Sequence, residues 1–442
     1  MIKTPKILIF GQPFNKITGG GITLSNLFKG WPVDRIAVAA TGHVLYYVTT
    51  DVCNTYYQLG KEEHKWIFPF NIMQRSFFSG IKIFKTDIIV PERKYISSIR
   101  YYFVNHIFYP ILSWLGLFHC SSKIILSERF KNWLSEFQPD ILYIQATNRE
   151  TVIFARQLAG YLQKPSVIHF MDDWPSTISN KGIFKHYWEK RIDKELKQLL
   201  ENVDLHISIS NAMSEEYSKR YNKKFIAFHN PIDLEAWLPF TKTNFVINEE
   251  QINILYSGRI GIGIAVSIIE VASAVDILNN EGMNIKLLIQ TPTEEQNILN
   301  KLKKYKCVLI NPLVEYSRLP EIFSSADILL LANDFDKQGI NYLKFSMPTK
   351  ASEYMISGTP ILVYAPEDAT VLRTLKQSEC SYCLSKKGKT EIMRAIRFLI
   401  NNEEFRKKIS RNSVNYAKQI FDADKMRSNF QNLLINISNK KD

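Results

Sequence analysis

The stretch Ile252-Asn-Ile-Leu-Tyr-Ser-Gly-Arg-Ile-Gly-Ile-Gly263 passes from apolar to glycine-spaced within one segment. Ile252–Tyr256 is the kind of short apolar run that forms a strand buried on both faces, and Ser257–Gly263 is a loop. A helix is expected directly after it, from Ala265 to Asn280. Strand, glycine loop and helix open a doubly wound α/β domain, in which ligands sit at the carboxyl ends of the strands.

The alternation continues downstream. Ile285–Ile289, Val308–Ile310, Asp327–Leu331 and Ile361–Tyr364 read as strands, Arg318–Ser325 and Lys350–Ser357 as helices, and helices fill most of 390–437. Upstream, the run 229–251 loses periodicity and carries Asn230-Pro231 and Pro239, so the linker between domains is expected there. Before it stands a second set of strands, at Lys6–Phe10, Arg35–Ala40, Ile141–Gln145, Ser166–Phe170 and Leu205–Ser210. Helices are expected from Ile22, over Thr151–Leu162 and from Ala212. The fold class is therefore α/β, with two facing Rossmann-like doubly wound domains and a cleft between them. The expected division is 1–240, 241–421, and a C-terminal helix, 422–442, that packs back on the N-terminal domain.

The chain of 442 residues has 56 Lys+Arg against 43 Asp+Glu, a net charge of +13, which favours anionic partners. There is no concentrated basic tail, zinc-finger spacing or RNP-type motif, so nucleic acid ranks last among them. The five cysteines are odd in number in a long chain and do not suggest a disulfide framework. Cys380 and Cys383 form a lone C-x-x-C without two further ligands nearby. The N-terminal run Ile7–Phe10 is too short for a signal-peptide core, and a cytoplasmic location is the default expectation. Tyr101–Phe118 is apolar, is interrupted by Pro110, and is flanked by Arg93, Lys94, Arg100, Lys123 and Arg129. It reads either as a helix on a membrane surface or as a buried helix broken near Pro110.

Four strand-end loops carry candidate chemistry. Gly19, Gly20 and Gly21 precede a helix; they either let backbone approach an anionic ligand or are ordinary βα-loop glycines. Arg259 follows the Ile252–Tyr256 strand, where a guanidinium can grip a diphosphate. Ser346-Met-Pro-Thr-Lys-Ala-Ser-Glu-Tyr-Met-Ile-Ser-Gly-Thr-Pro360 places Pro348 and Thr349 at a helix start, Lys350 in the first turn against the helix dipole, and Glu353 one turn on. Gly358 ends that helix. Lysine for phosphate and carboxylate for sugar hydroxyls would make a nucleotide clamp. His169 and Asp173, at the end of the Ser166–Phe170 strand, can bond sugar hydroxyls or handle a proton. Asp334-Phe-Asp336 is read as solvated loop carboxylates rather than a metal site, and Asp422-Ala-Asp424 as a helix N-terminus.

Together these segments resemble glycosyltransferase family 4, retaining enzymes of GT-B fold. The resemblance spans nearly the whole chain and is strongest from Asn253 to Pro366. It implies that Ser346, Met347, Pro348, Thr349, Lys350 and Glu353 hold the donor's phosphates and ribose, that Arg259 contacts the diphosphate, and that Gly19–Gly21 face the donor sugar. It places His169 and Asp173 on the acceptor side as candidate catalytic residues. Two positions depart from the family pattern: Ile264 stands where a lysine is frequent and Phe345 where a first glutamate is frequent.

The resemblance implies transfer of a sugar from a UDP- or GDP-linked donor to a glycan or lipid-linked acceptor with retention of configuration, in cell-surface polysaccharide biosynthesis. Arg259, Lys350 and the helix N-terminus would stand in for a metal, and no cofactor beyond the donor is expected. The charge and the Tyr101–Phe118 stretch fit peripheral contact with an anionic membrane on its cytoplasmic face. Competing readings are a degenerate scaffold of a polysaccharide assembly complex and a nucleotide-sugar epimerase, which would need an acidic cluster.

Overall fold

The structure, a computed structural model, describes residues 4–68, 70–73, 77–87, 107–178, 182–293 and 295–439. The chain divides into two compact units, one of residues 1–228 with 427–442 and one of 229–426.

The first unit carries β1 (Ile7–Phe10), β2 (Ile36–Thr41), β3 (Thr55–Leu59), β4 (His64–Trp66), β5 (Gly80–Ile83), β6 (Ser122–Ile124), β7 (Ile141–Ile144), β8 (Ser166–Phe170), β9 (Leu205–Ser208) and β10 (Phe225–Ala227). Eight of them form one sheet in the order β10-β9-β8-β7-β1-β2-β3-β5, and β4 pairs with β6 in a separate ribbon. Every pairing in the large sheet is parallel except β3 with the edge strand β5. β1, β2, β7 and β8 are buried along their whole length, and β1 and β7 accordingly read as unbroken apolar runs. The chain winds outward from β1 in one direction and from β7 in the other, so the topological switch lies between β1 and β7. At that point Gly11 adopts φ +105°, and a Cβ on it would lie 2.3 Å from the Gln145 carbonyl oxygen. Only glycine fits there.

The second unit carries β11 (Ile252–Ser257), β12 (Ile285–Gln290), β13 (Val308–Asn311), β14 (Ile328–Ala332), β15 (Ile361–Tyr364) and β16 (Tyr382–Leu384), ordered β13-β12-β11-β14-β15-β16 and parallel throughout. Its switch point lies between β11 and β14. One face of the sheet (Ile254, Tyr256, Leu287, Ile289, Leu330) packs under helix Ala265–Asn280. The other (Leu255, Leu329, Val363) packs against Phe323, Tyr354, Met355 and Trp237.

Three expectations are corrected. The run 229–251 is no free linker up to residue 240. Ile232 and Trp237 are buried in the second unit's core, and Ile232 bridges to Asp422, so the division falls between Phe228 and His229. The helix Tyr109–Trp114 is neither broken by Pro110 nor buried: Pro110 sits in its first turn, and only Leu112 is buried. Residues 101–106 of that stretch lie outside the described residues. Asp334 is no solvated carboxylate. It is 3% exposed and accepts from the Ser267 backbone N–H at 2.7 Å, which holds the start of helix Ala265–Asn280. Asp336 caps helix Lys337–Leu343 through the Gly339 N–H at 2.6 Å.

Among the described residues no helix is long and apolar enough to cross a membrane. The helix Ala423–Ser438 brings Phe430 against Phe28 and Tyr143 of the first unit, with ring centroids 5.1 and 6.1 Å apart.

Candidate functional site

In the second unit the site grows from the end of β11. Gly258 has φ +133°, and its missing side chain leaves room for Lys350, whose Nζ would lie 3.2 Å from a Cβ there. Below them the Tyr256 ring carries the Lys350 ammonium 3.6 Å from its centroid, a cation–π contact, while the Tyr256 hydroxyl donates to the Arg259 carbonyl at 2.7 Å. The Thr293 hydroxyl accepts from the Ile260 N–H at 2.8 Å and lies 3.0 Å from the Ile260 carbonyl, so the loop after β12 is tied to the Arg259 loop. Arg259 itself is exposed.

Helix Thr349–Ser357 starts at the same end of the sheet. Its N-cap is Pro348, which supplies no side-chain hydrogen bond, so the first-turn N–H groups keep their positive end uncapped. The Tyr354 hydroxyl, from the second turn, accepts from the Ser257 N–H at 2.8 Å and fixes the helix on β11. Met347 packs into the core, Ser346 is half-buried, and Gly358 closes the helix in the left-handed conformation at φ +72°. Glu353 is 5% exposed and accepts a hydrogen bond from the Tyr316 hydroxyl. The Tyr316 ring in turn meets Trp237 edge-on at 6.4 Å.

This placement is electrostatically costly for both ionisable groups. Burial pushes the Lys350 ammonium down to about 7, with Arg259 adding repulsion and Glu353 opposing the shift. Burial pushes the Glu353 carboxyl up to about 7 against Tyr316 and Lys350. An anion beside Lys350, Arg259 and the uncapped helix end would restore the charged ammonium. Ile264 is turned into the core beside helix Ala265–Asn280, and Phe345 is half-buried, so neither departure is replaced by a polar group at its own position.

In the first unit, Gly19, Gly20 and Gly21 are not a loop. They form the first turn of helix Gly19–Phe28, capped by Thr18, whose hydroxyl accepts from the Gly21 N–H at 3.2 Å. A Cβ on Gly21 would lie 2.2 Å from the Asn15 side chain, so this glycine has a packing reason; Gly19 is exposed and Gly20 half-buried. His169 lies on β8, 2% exposed. Its Nδ1 is 2.5 Å from the Tyr143 hydroxyl, its Nε2 has no partner among the described residues, and burial lowers its pKa to about 3. Asp173 is 3% exposed and fully engaged: Arg220 donates to both oxygens at 2.8 and 3.2 Å, Tyr217 to one at 2.7 Å and Ser176 to the other at 2.7 Å. The arrangement ties β8 to helix Asn211–Tyr221. Next to it, burial raises the Asp172 carboxyl, with the Asp173 charge adding to the shift.

The sequence reading missed Tyr256, Tyr316, Tyr143 and Gln145. Of these only Gln145 carried a local signal, a polar side chain at the end of an apolar strand.

No protein-family model matches the chain, and no curated protein matches it. Solved structures do. The Anabaena HepE structure in complex with UDP and glucose aligns with a TM-score of 0.62 at 11% identity, covering 97% of this chain and 99% of that one. Sucrose-phosphate synthase from Thermosynechococcus elongatus gives 0.61 at 11% identity over 98% of both chains. The α,α-trehalose-phosphate synthase from Burkholderia xenovorans, in complex with glucose-6-phosphate, gives 0.58 at 11% over 97% and 99%. At such identities the likeness is one of fold: the chain has the GT-B fold, with two Rossmann-like α/β domains.

Proposed function

We propose that the chain is a glycosyltransferase of the family 4 kind, which takes a sugar from a nucleotide diphosphate sugar, retains its anomeric configuration and passes it to a glycan or lipid-linked acceptor in polysaccharide biosynthesis. The observation that carries the reading is Lys350 on the Tyr256 ring, at an uncapped helix start one turn before the buried Glu353. As the glycosidic bond breaks, the leaving diphosphate gathers charge, and Arg259, Lys350 and the N–H groups from Thr349 onward stabilise it without a metal. Glu353, oriented by Tyr316, accepts from ribose hydroxyls. Anabaena HepE, a structure of the same fold, is solved with UDP-glucose. The test is Glu353→Ala on the full chain: transfer falls at least a hundredfold with an unchanged circular dichroism spectrum, and full retained transfer would sink the assignment.

A second reading has its own support. Ile264 and Phe345 fit a scaffold that has lost donor-sugar recognition. Calorimetric titration with UDP and GDP separates the two, since a scaffold of that kind binds neither.

Contact with an anionic membrane belongs to the same proposal. Ile111, Trp114, Ile183 and Phe184 of the first unit are each 50–55% exposed, and the Ile183 N–H donates to the Trp114 carbonyl, which makes them one surface. A chain of charge +13 brings that surface to anionic headgroups. Cosedimentation with anionic but not neutral liposomes at low salt is expected.

A further inference from the structure

His169 has a hydrogen-bond balance that fixes its role. Among the described residues, the Tyr143 hydroxyl has no partner other than His169 Nδ1, at 2.5 Å. If Nδ1 carried the proton, both the phenol proton and the Nε2 lone pair would be buried without partners. If the phenol donates to Nδ1, a single orphan remains, the Nε2 proton. Each buried polar group left unpaired is destabilising, so the arrangement with one orphan wins over the arrangement with two.

That Nε2 proton is not alone. β7 and β8 run in register, Ile144 beside Ile168, which places Gln145 next to His169 on the neighbouring strand, about 4.8 Å away. Tyr143 and Gln145 share a sheet face by the two-residue period, and Tyr143 reaches His169 on that face. Gln145 is 5% exposed, and among the described residues its Nε2 has no partner either. Helix Gly19–Phe28 covers this end of the sheet: a Cβ on Gly20 would lie 3.9 Å from the Met171 side chain, and the Phe28 ring sits 5.4 Å from Tyr143. On the same helix Thr23, 1% exposed, carries a third polar atom, Oγ1, without a partner among the described residues. All of this stands beside the switch point marked by Gly11.

We infer that His169 and Gln145 form a two-donor clamp for one hydroxyl oxygen of a sugar, with Tyr143 as the positioning residue that holds the imidazole in its Nε2-protonated form. In this role His169 donates a hydrogen bond and takes no proton. The inference rests on the transferase reading for its ligand class, and on the hydrogen-bond balance alone for the tautomer.

The test uses the full chain labelled with ¹⁵N-histidine, the His169 signals being identified by their loss in His169→Gln. A protonated Nε2 and an unprotonated Nδ1 are expected, and a protonated Nδ1 would overturn the assignment. Tyr143→Phe keeps the ring packed on Phe28 and Phe430 and should release the fixed tautomer; an unchanged Nδ1 resonance counts against its positioning role. Glucose, galactose, mannose, N-acetylglucosamine and their methyl glycosides are then titrated while the Nε2 proton is followed. At least one should shift it, and Gln145→Leu should weaken that sugar about tenfold while leaving UDP or GDP binding unchanged. If no sugar moves the resonance, the two donors hold buried water and the clamp is wrong. Nucleotide binding without a sugar response sinks the clamp and spares the transferase reading; a sugar response without nucleotide binding does the reverse.

Discussion

The ammonium of Lys350 stands 3.6 Å from the centre of the Tyr256 ring, in the first turn of a helix whose dipole opposes it. The ring face supplies an attraction that the helix end does not, and the ammonium is thereby held at the exit of β11 beside Arg259. Lys350→Met should weaken UDP-glucose binding tenfold or more, about 1.4 kcal/mol, while leaving uridine binding within twofold. Calorimetry with the two ligands separates a phosphate contact from a general loss of the site.

The same lysine makes donor binding depend on pH. Its pKa is lowered to about 7, so the free chain carries it neutral above that pH and charged below. A bound diphosphate favours the charged form, so binding above about pH 7 takes up a proton, and affinity falls as pH rises, by up to about tenfold per unit. Below that range the dependence flattens. UDP-glucose suits the measurement because its diphosphate diester has no proton to exchange there. Glu353 titrates in the same region, raised to about 7, so the control is Lys350→Met, in which proton uptake at pH 8 should disappear.

Asp173 ties elements of the first unit together. Asp173→Ala removes the acceptor shared by Arg220, Tyr217 and Ser176 and takes it from the buried Tyr217 hydroxyl, while the half-buried Arg220 keeps Glu216 at 3.1 Å. The change should destabilise the first unit by about 1–3 kcal/mol, measured by urea denaturation, and any loss of transfer should track the loss of folded chain. A stable, inactive Asp173→Ala would instead return this residue to the chemistry.

Gly11→Ala tests the switch point of the first sheet. The new methyl group would meet the Gln145 carbonyl at 2.3 Å in a backbone region that alanine disfavours. A loss of at least about 2 kcal/mol is expected by denaturation, with the second unit's transition unchanged.

The strands nearest the two switch points were legible because each is a short run dominated by buried apolar residues. Ile7–Phe10, Ile141–Ile144 and Ile252–Ser257 lie within one residue of their expected limits. β3 was not legible: Thr55-Tyr-Tyr-Gln-Leu59 mixes polar and aromatic residues, and Gln58 is buried because its amide donates to the Phe78 carbonyl, a partner that no local pattern foretells. Lys350 and Glu353 could be singled out because a helix start carries rules of its own. Tyr316 could not, since its hydrogen bond to Glu353 joins segments separated by β14 and two helices. Gly19–Gly21 were misjudged as loop because glycine lowers helix propensity, which the Thr18 cap and the Asn15 contact override here.

The helix Ala423–Ser438 has a consequence for how the protein is made. Phe430, which fills space between Phe28, Tyr143 and Phe228, leaves the ribosome only after the whole of the second unit has been synthesised. The first unit thus waits for a segment made after the second unit to close its interior. Until then the surfaces of Phe28, Tyr143 and Phe228 that Phe430 covers stay open, while the second unit can complete itself from one uninterrupted run of sequence.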